Sequence, residues 1–464
     1  MHCQWRDCKE WLDSGLPLST TSNEAVKMYD AVVTQYVSWC DNDSVGGMEK
    51  SVETMMAADP QFVMGSALAN GLDLMATGQS IYTSADFKKR VDDMVKLATT
   101  SDISQRERKH VDAVKLFADG DMLGAGNKWE DILLDHPTDM LALRFAHDSY
   151  FYRAMGPQMR DSVARVLPHW KPTTPLYGYV LGMHSFGLIE TNFYDQAEKV
   201  AKKGLELNQK DAWSTHTICH VLEMEGRQME GINFLKGTES DWASCNYLAA
   251  HNYWHWALYH TERAEYESAL GILDDIISRG KASGALIDMV DACSLIYRLE
   301  MEGVKTGDRW NDMYEMCRPH TSDHILVFND VHILLSCLGA KKKEATIKMM
   351  ESMKQFVSEK VGTQNDIAKE VGIQLCAAFI AADEGDYAKA VDLVHPLRYK
   401  IVTIGGSNAQ RDLFNLFLIH AALNSPKKEH HCLARSLLAE RKAFKENAPM
   451  TDRLMAKALA LHQS

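Results

Sequence analysis

Five of the chain's 19 histidines fall between His216 and His260, and four of them form two pairs of equal spacing, His216 with His220 and His251 with His255. Residues four apart on an α-helix differ by about 40° of rotation, so each pair shares a face. Glu223 lies about 20° to the other side of His216 and joins the same stripe. The apolar stripe of that segment, Thr215, Cys219 and Leu222, is offset by one residue. The second segment repeats the offset. Ala250, Trp254, Ala257 and Leu258 form its apolar stripe, while His251 and His255 follow one residue later with Glu262 in line beyond. Neutral imidazole is a favoured ligand for zinc, iron, nickel or copper. Packed helices run about 8–10 Å apart, which lets four such rings converge on one point. The spacing therefore predicts a site for one transition-metal ion such as zinc on His216, His220, His251 and His255, with Glu223 as an extra ligand or a general base.

Known catalytic motifs do not match. Helical-bundle metal sites use Glu-x-x-His, whereas the order here is His220-x-x-Glu223. A zincin needs Glu where Thr217 stands. No phosphate-binding Gly-rich loop, Walker motif or GxSxG elbow occurs, so nucleotide-dependent and α/β-hydrolase chemistry have no support. A bland alternative stands beside the metal: histidines on a helix are often partly buried groups bonded to carboxylates. Other polar residues on first helices are His110, His147, Asp148, His184, Glu190, Asn329, Asp330 and His332; of these, His184 and His332 fall near apolar stripes and read as core. Trp213, Tyr253, Trp254 and Trp256 flank the cluster, as packing or as a lining that keeps water from a ligand. Glu190, Trp213, Trp254 and Glu262 are the predicted ligand-contacting residues.

The elements that must position these groups are helices. Glycine and proline are sparse, at 28 and 11 of 464 residues, and strand signals are nearly absent. Apolar residues recur at three- and four-residue spacing. The clearest units cover 106–137, 176–208, 211–241, 246–280 and 368–398, each broken midway by a short polar turn, and Ala125, Ala197, Ala269 and Ala390 follow the break. Weaker copies cover 22–60, 286–318, 324–353 and 411–442, and 451–460 reads as a terminal capping helix. A period of roughly 34 residues is that of the tetratricopeptide repeat. One such hairpin cannot bury its apolar faces alone, so neighbours stack. The expected fold is all-α: a single tetratricopeptide-type α-solenoid over residues 1–464, a right-handed superhelix of helix hairpins whose first helices line a concave groove.

Two stretches are more specific than a generic repeat: Asp211 to Arg227, and Ala250 to His260. With Tyr150-Phe151-Tyr152 and Phe186 to Glu190, they resemble the tetratricopeptide-repeat protein 38 family over nearly the whole chain. The resemblance implies an all-α repeat array and brings no reaction with it.

Bulk composition narrows the partners. Lys and Arg number 50 against 63 Asp and Glu, a formal charge of −13, which argues against nucleic acid or anionic lipid as partner. No apolar run reaches the roughly 18 residues of a spanning helix, and the opening MHCQWRDCKEWLDSG has no secretory character. The ten cysteines, from Cys3 to Cys432, include no CxxC and read as reduced core residues of a cytoplasmic protein. Two functional readings follow. In the first, a peptide or small ligand binds the concave groove through the His-rich cluster. In the second, the cluster is the centre of a metal-dependent hydrolase or lyase whose bound water attacks a small molecule.

Overall fold

The computed structural model describes residues 4–463. Among these residues every regular element is a helix, with short 3-10 turns and one π-helical stretch at Ala368–Gly372. None of the described helices is long and apolar enough to cross a membrane.

The helices come as hairpins that stack in chain order, the architecture of a tetratricopeptide-type array. Gln105–Ala118 pairs with Met122–Asp135, and Tyr177–Ile189 with Tyr194–Leu207. Further along, Ile373–Asp383 pairs with Tyr387–Val394 and Asn408–Asn424 with Lys428–Phe444, before Pro449–Gln463 closes the series. Ala125, Ala197, Ala269 and Ala390 are fully buried, which lets the paired helices approach closely.

One turn geometry recurs. Gly120, Asn192, Gly226, Ala264, Lys341 and Gly385 all have positive φ. The next residue's amide then reaches back five positions. Examples are Asp121 to the Leu116 carbonyl at 2.9 Å, Arg227 to Leu222 at 2.8 Å and Glu265 to His260 at 2.9 Å. This Schellman closure satisfies carbonyls left open at a helix end and reverses the chain for the next helix. Glycine suits the left-handed residue, yet Asn192, Ala264 and Lys341 take it as well, at a cost of about 1–2 kcal/mol each.

The chain divides into two compact units. One holds the chain through Thr217 together with Ser240–Ala249; the other holds Ile218–Glu239 and the chain from Ala250 onward. The Ala212–Met224 helix is continuous across the division.

In the first unit the core packs Trp129 between Phe117 and Phe145, with ring centroids at 6.2 and 5.4 Å. Beside it sits a buried ionic group. Asp139 caps Met140–Phe151 by accepting from the Ala142 amide at 3.0 Å, and its carboxylate faces Arg106 at 2.7 Å and His110 at 3.1 Å. Arg106 also donates to the Pro17 carbonyl at 2.6 Å, tying down the N-terminal segment. Burial works to raise the Asp139 pKa, but His110 and Arg106 overcome it and hold the carboxyl well below the usual range. His110 is thus committed to this network.

Segment 240–249 belongs to the first unit because it is clamped there. Asn246 and Tyr247 donate to the Asp41 carboxylate at 2.7 and 3.0 Å. Cys40 and Cys245 are disulfide-bonded, with Cα atoms 4.4 Å apart across 205 residues of sequence. This corrects the expectation that the cysteines are all reduced. Cys8, Cys219, Cys293, Cys317, Cys337, Cys376 and Cys432 are free thiols, and Cys3 lies outside the described residues. In the second unit the core centres on Phe379, stacked on Phe417 at 3.9 Å and edge-on to Tyr297 at 5.4 Å.

Two outcomes follow from these contacts. Asp139→Asn should cost about 3–5 kcal/mol at neutral pH, because it breaks a buried pair and strands Arg106. A depressed carboxylate pKa stabilises above the unfolded value of about 3.9 and loses that contribution as pH falls further, so the deficit should shrink in acid. Urea unfolding of both proteins at pH 7 and pH 3 measures it. Non-reducing peptide mapping should recover the Cys40–Cys245 pair, and Cys40→Ser should lower stability by about 5 kcal/mol, the scale set by so long a closed loop.

Candidate metal centre

The histidines ride on two helices whose rotation is fixed by large side chains. Asp211 caps Ala212–Met224, accepting from the Trp213 amide at 3.2 Å and the Ser214 hydroxyl at 2.5 Å. Burial pushes the Asp211 carboxyl up to about 7. Trp213 donates its indole N–H to the Val37 carbonyl at 2.8 Å and lies against Trp39 and the buried Arg144, whose guanidinium also covers Tyr36. The first turn of the helix therefore cannot roll. In the second unit, Tyr259 donates to the Cys219 carbonyl at 2.6 Å and locks Ala249–Glu262 against Ala212–Met224.

On those helices the second unit brings three imidazoles together. The Nε2 atoms of His220 and His255 are 3.1 Å apart. Ring centroids lie at 4.3 Å for that pair and 4.9 Å for His251 with His255, both edge-to-face. His216 precedes His220 by one turn of the same continuous helix, with Phe186 stacked on its ring at 5.1 Å. One ligand atom from each of His216, His220, His251 and His255 lies within 4.8 Å of all the others, a group able to coordinate a metal ion.

Carboxylates stand behind two of the rings. His251 Nδ1 lies 2.6 Å from Asp291 Oδ2, and the other Asp291 oxygen accepts from the Gln410 amide at 3.1 Å. His255 Nδ1 lies 2.9 Å from Glu223 Oε2. A ring that donates from Nδ1 to its carboxylate keeps the Nε2 lone pair. That is the tautomer and orientation a metal-ligating histidine takes. Burial raises the Glu223 carboxyl, while Lys445, His220 and Arg298 pull it down. Burial drives both His220 and His255 well below the ordinary imidazole range, and each is lowered further by a neighbouring imidazole. Both rings are therefore neutral, the form that binds metal. In tetrahedral zinc sites with bonds of 2.0–2.1 Å the nitrogens stand roughly 3.3 Å apart, close to the His220–His255 spacing.

The four predicted histidines are thus gathered in one place, but all are buried, between 0% and 6% exposed, so the polar stripe is interior. Trp254 is a wall of the group, stacked on His251 at 5.2 Å and edge-on to His255 at 5.0 Å. Trp256 instead stacks on Tyr253, which donates to Glu239. Glu223 sits behind His255. Glu262 accepts from the Met450 amide at 2.9 Å and faces Lys445 at 3.4 Å. Trp213 is engaged with Val37 and Arg144, and Glu190 caps the end of Tyr177–Ile189. His147 bonds the Met183 carbonyl at 3.3 Å, Asp148 pairs with Arg144, Asp330 with His324, and His332 with the Phe328 carbonyl.

Asp291 and Gln410 were missed. A signal existed: Leu286–Met301 is largely apolar, yet Asp288, Asp291, Ser294 and Arg298 recur at helical spacing and are all buried. A polar stripe inside an apolar helix implies partners that its own sequence does not show.

No protein-family profile matches the chain. Among solved structures, that of an IFIT1 monomeric mutant with Gppp-AAAA aligns over 99% of this chain and 98% of its own, at 12% identity and a TM-score of 0.38. The expectation that nucleic acid is no partner is withdrawn, since that solved structure carries Gppp-AAAA. A likeness of this size transfers no ligand.

Trp254→Ala should remove a fully buried wall of the centre and cost about 3–5 kcal/mol. Urea denaturation monitored by far-UV circular dichroism measures the loss.

Proposed function

We propose that this chain is a helical-repeat protein of the tetratricopeptide-repeat protein 38 family in which His216, His220, His251 and His255 hold one transition-metal ion. The observation that carries the reading is the buried group of four imidazoles, two of them backed by carboxylates. Four nitrogen ligands suit zinc above calcium or magnesium, which prefer oxygen. Glu223 and Asp291 act as positioning residues, holding the rings so that Nε2 faces the ion. Trp254 excludes water beside them.

Burial also separates the two functional readings. A peptide lying in a groove would touch exposed side chains, whereas these rings are sealed. A hydrolase needs an open coordination position and a free base. Four protein ligands close the sphere, and Glu223 is already committed to His255. The geometry therefore favours a closed centre that stabilises the fold around it, because an ion bound only by the folded state is linked to folding. In this reading residues 1–464 are one repeat array.

Elemental analysis of protein purified without a His-tag or metal column should find about one equivalent of transition metal. His220→Ala and His255→Ala should lose it, and Asp291→Asn should weaken binding by about 10- to 100-fold. A metal-free wild type, or full occupancy in both histidine variants, would overturn the assignment.

A further inference from the structure

A sealed centre needs a way in. His220 and His255 are fully buried, and His251 nearly so. Within the second unit a small cleft lies beside them. Its charged wall consists of three carboxylates, Glu223, Glu262 and Asp412, and three cations, Arg298, Arg441 and Lys445. Glu223 joins cleft to centre, because the side chain that lines the cleft also holds His255 Nδ1 at 2.9 Å. The free space accommodates little more than a water molecule, too little for an organic ligand and suited to a bare or singly hydrated ion.

The six charges are not equally fixed. Arg441 grips both oxygens of Asp412, and Arg298 adds a third approach at 3.6 Å while donating to the Ala409 carbonyl at 2.9 Å. Those three groups form a rigid wall. Lys445 is different. It stands at the C-terminal cap of Lys428–Phe444, and its ammonium lies 3.4 Å from Glu262, long for a charge-assisted bond. Glu262 keeps a second partner, the Met450 amide at 2.9 Å, and so stays in place if the lysine leaves. The lysine stem is flexible and its charge compact. It occupies the place where an arriving cation would meet carboxylate.

We propose that this cleft is the route by which the metal ion reaches and leaves the histidines, with Lys445 as its gate. The ammonium neutralises Glu262 until a dication displaces it, and Glu223 is the next carboxylate the ion meets on its way round to the Nε2 side of His255. The inference rests on the metal centre proposed above, and rates separate the two, since a gate changes speed and leaves affinity alone.

The test is stopped-flow zinc loading of the full chain, and zinc removal by excess chelator, for wild type, Lys445→Met, Lys445→Gln and Lys445→Arg. Lys442→Met serves as control, because Lys442 pairs with Asp452 on the exposed surface. Removing the charge at 445 should speed loading and removal together by about tenfold, with the equilibrium constant nearly unchanged. Lys445→Arg and Lys442→Met should keep wild-type rates. Unchanged rates in either neutral variant that still binds zinc would overturn the route while leaving the centre intact. A change in only one of the two rates, which shifts the equilibrium constant, would do the same. A wild type that binds no zinc would overturn both.

Discussion

Two imidazole nitrogens 3.1 Å apart in a sealed interior cannot both carry a proton. That constraint governs the region around His220 and His255. Burial alone penalises the charged ring, and each neighbouring imidazole adds to the penalty, so His220 and His255 persist as neutral rings. Direction comes from behind. Asp291 and Glu223 each accept a hydrogen bond at one Nδ1, and Gln410 holds Asp291 in turn. A neutral, oriented imidazole is what a transition metal requires, and the same features that make the cluster costly without an ion make it suited to one.

The remainder of the chain supplies stiffness. Schellman turns end helix after helix with the same backbone geometry, so each hairpin reverses at a defined angle regardless of whether glycine, asparagine, alanine or lysine stands at the left-handed position. Trp213 and Tyr259 then set the roll of the two histidine helices through indole and phenol hydrogen bonds to backbone carbonyls. The Cys40–Cys245 bond and the Asp41 clamp hold the segment just ahead of Ala249–Glu262.

Much of this is legible in the sequence alone. The all-α stacked hairpins follow from apolar spacing and from the polar turns, since a period of 3.6 is imposed locally. The convergence of His216, His220, His251 and His255 was legible for the same reason: each pair lies within one helical turn. What lay hidden is whatever depends on distant sequence. Asp291 meets His251 across 40 residues and Gln410 meets Asp291 across 119, distances over which no periodicity operates. The Cys40–Cys245 pairing spans 205 residues, and scattered thiols carry no mark of their partner. The depth of the cluster was also hidden, because a polar stripe one residue off an apolar one reads as an exposed face when its cover comes from elsewhere in the chain. Ala264 shows the limit at the level of a turn: alanine gives no hint of positive φ, and only the chain reversal demands it.

The distribution of the centre along the chain sets an order of assembly. His216 to His255 form one contiguous stretch, complete as soon as two neighbouring hairpins exist, and local contacts of this kind form early. Asp291 arrives one hairpin later, and Gln410, which steadies it, lies 119 residues further on. The four histidines and Glu223 are thus synthesised before Asp291 and Gln410, the groups that orient His251. An ion captured on the ribosome would first meet four mobile rings, and its grip would tighten stepwise as the later helices emerged and docked. The last helices made then determine how firmly the first-gathered histidines are held.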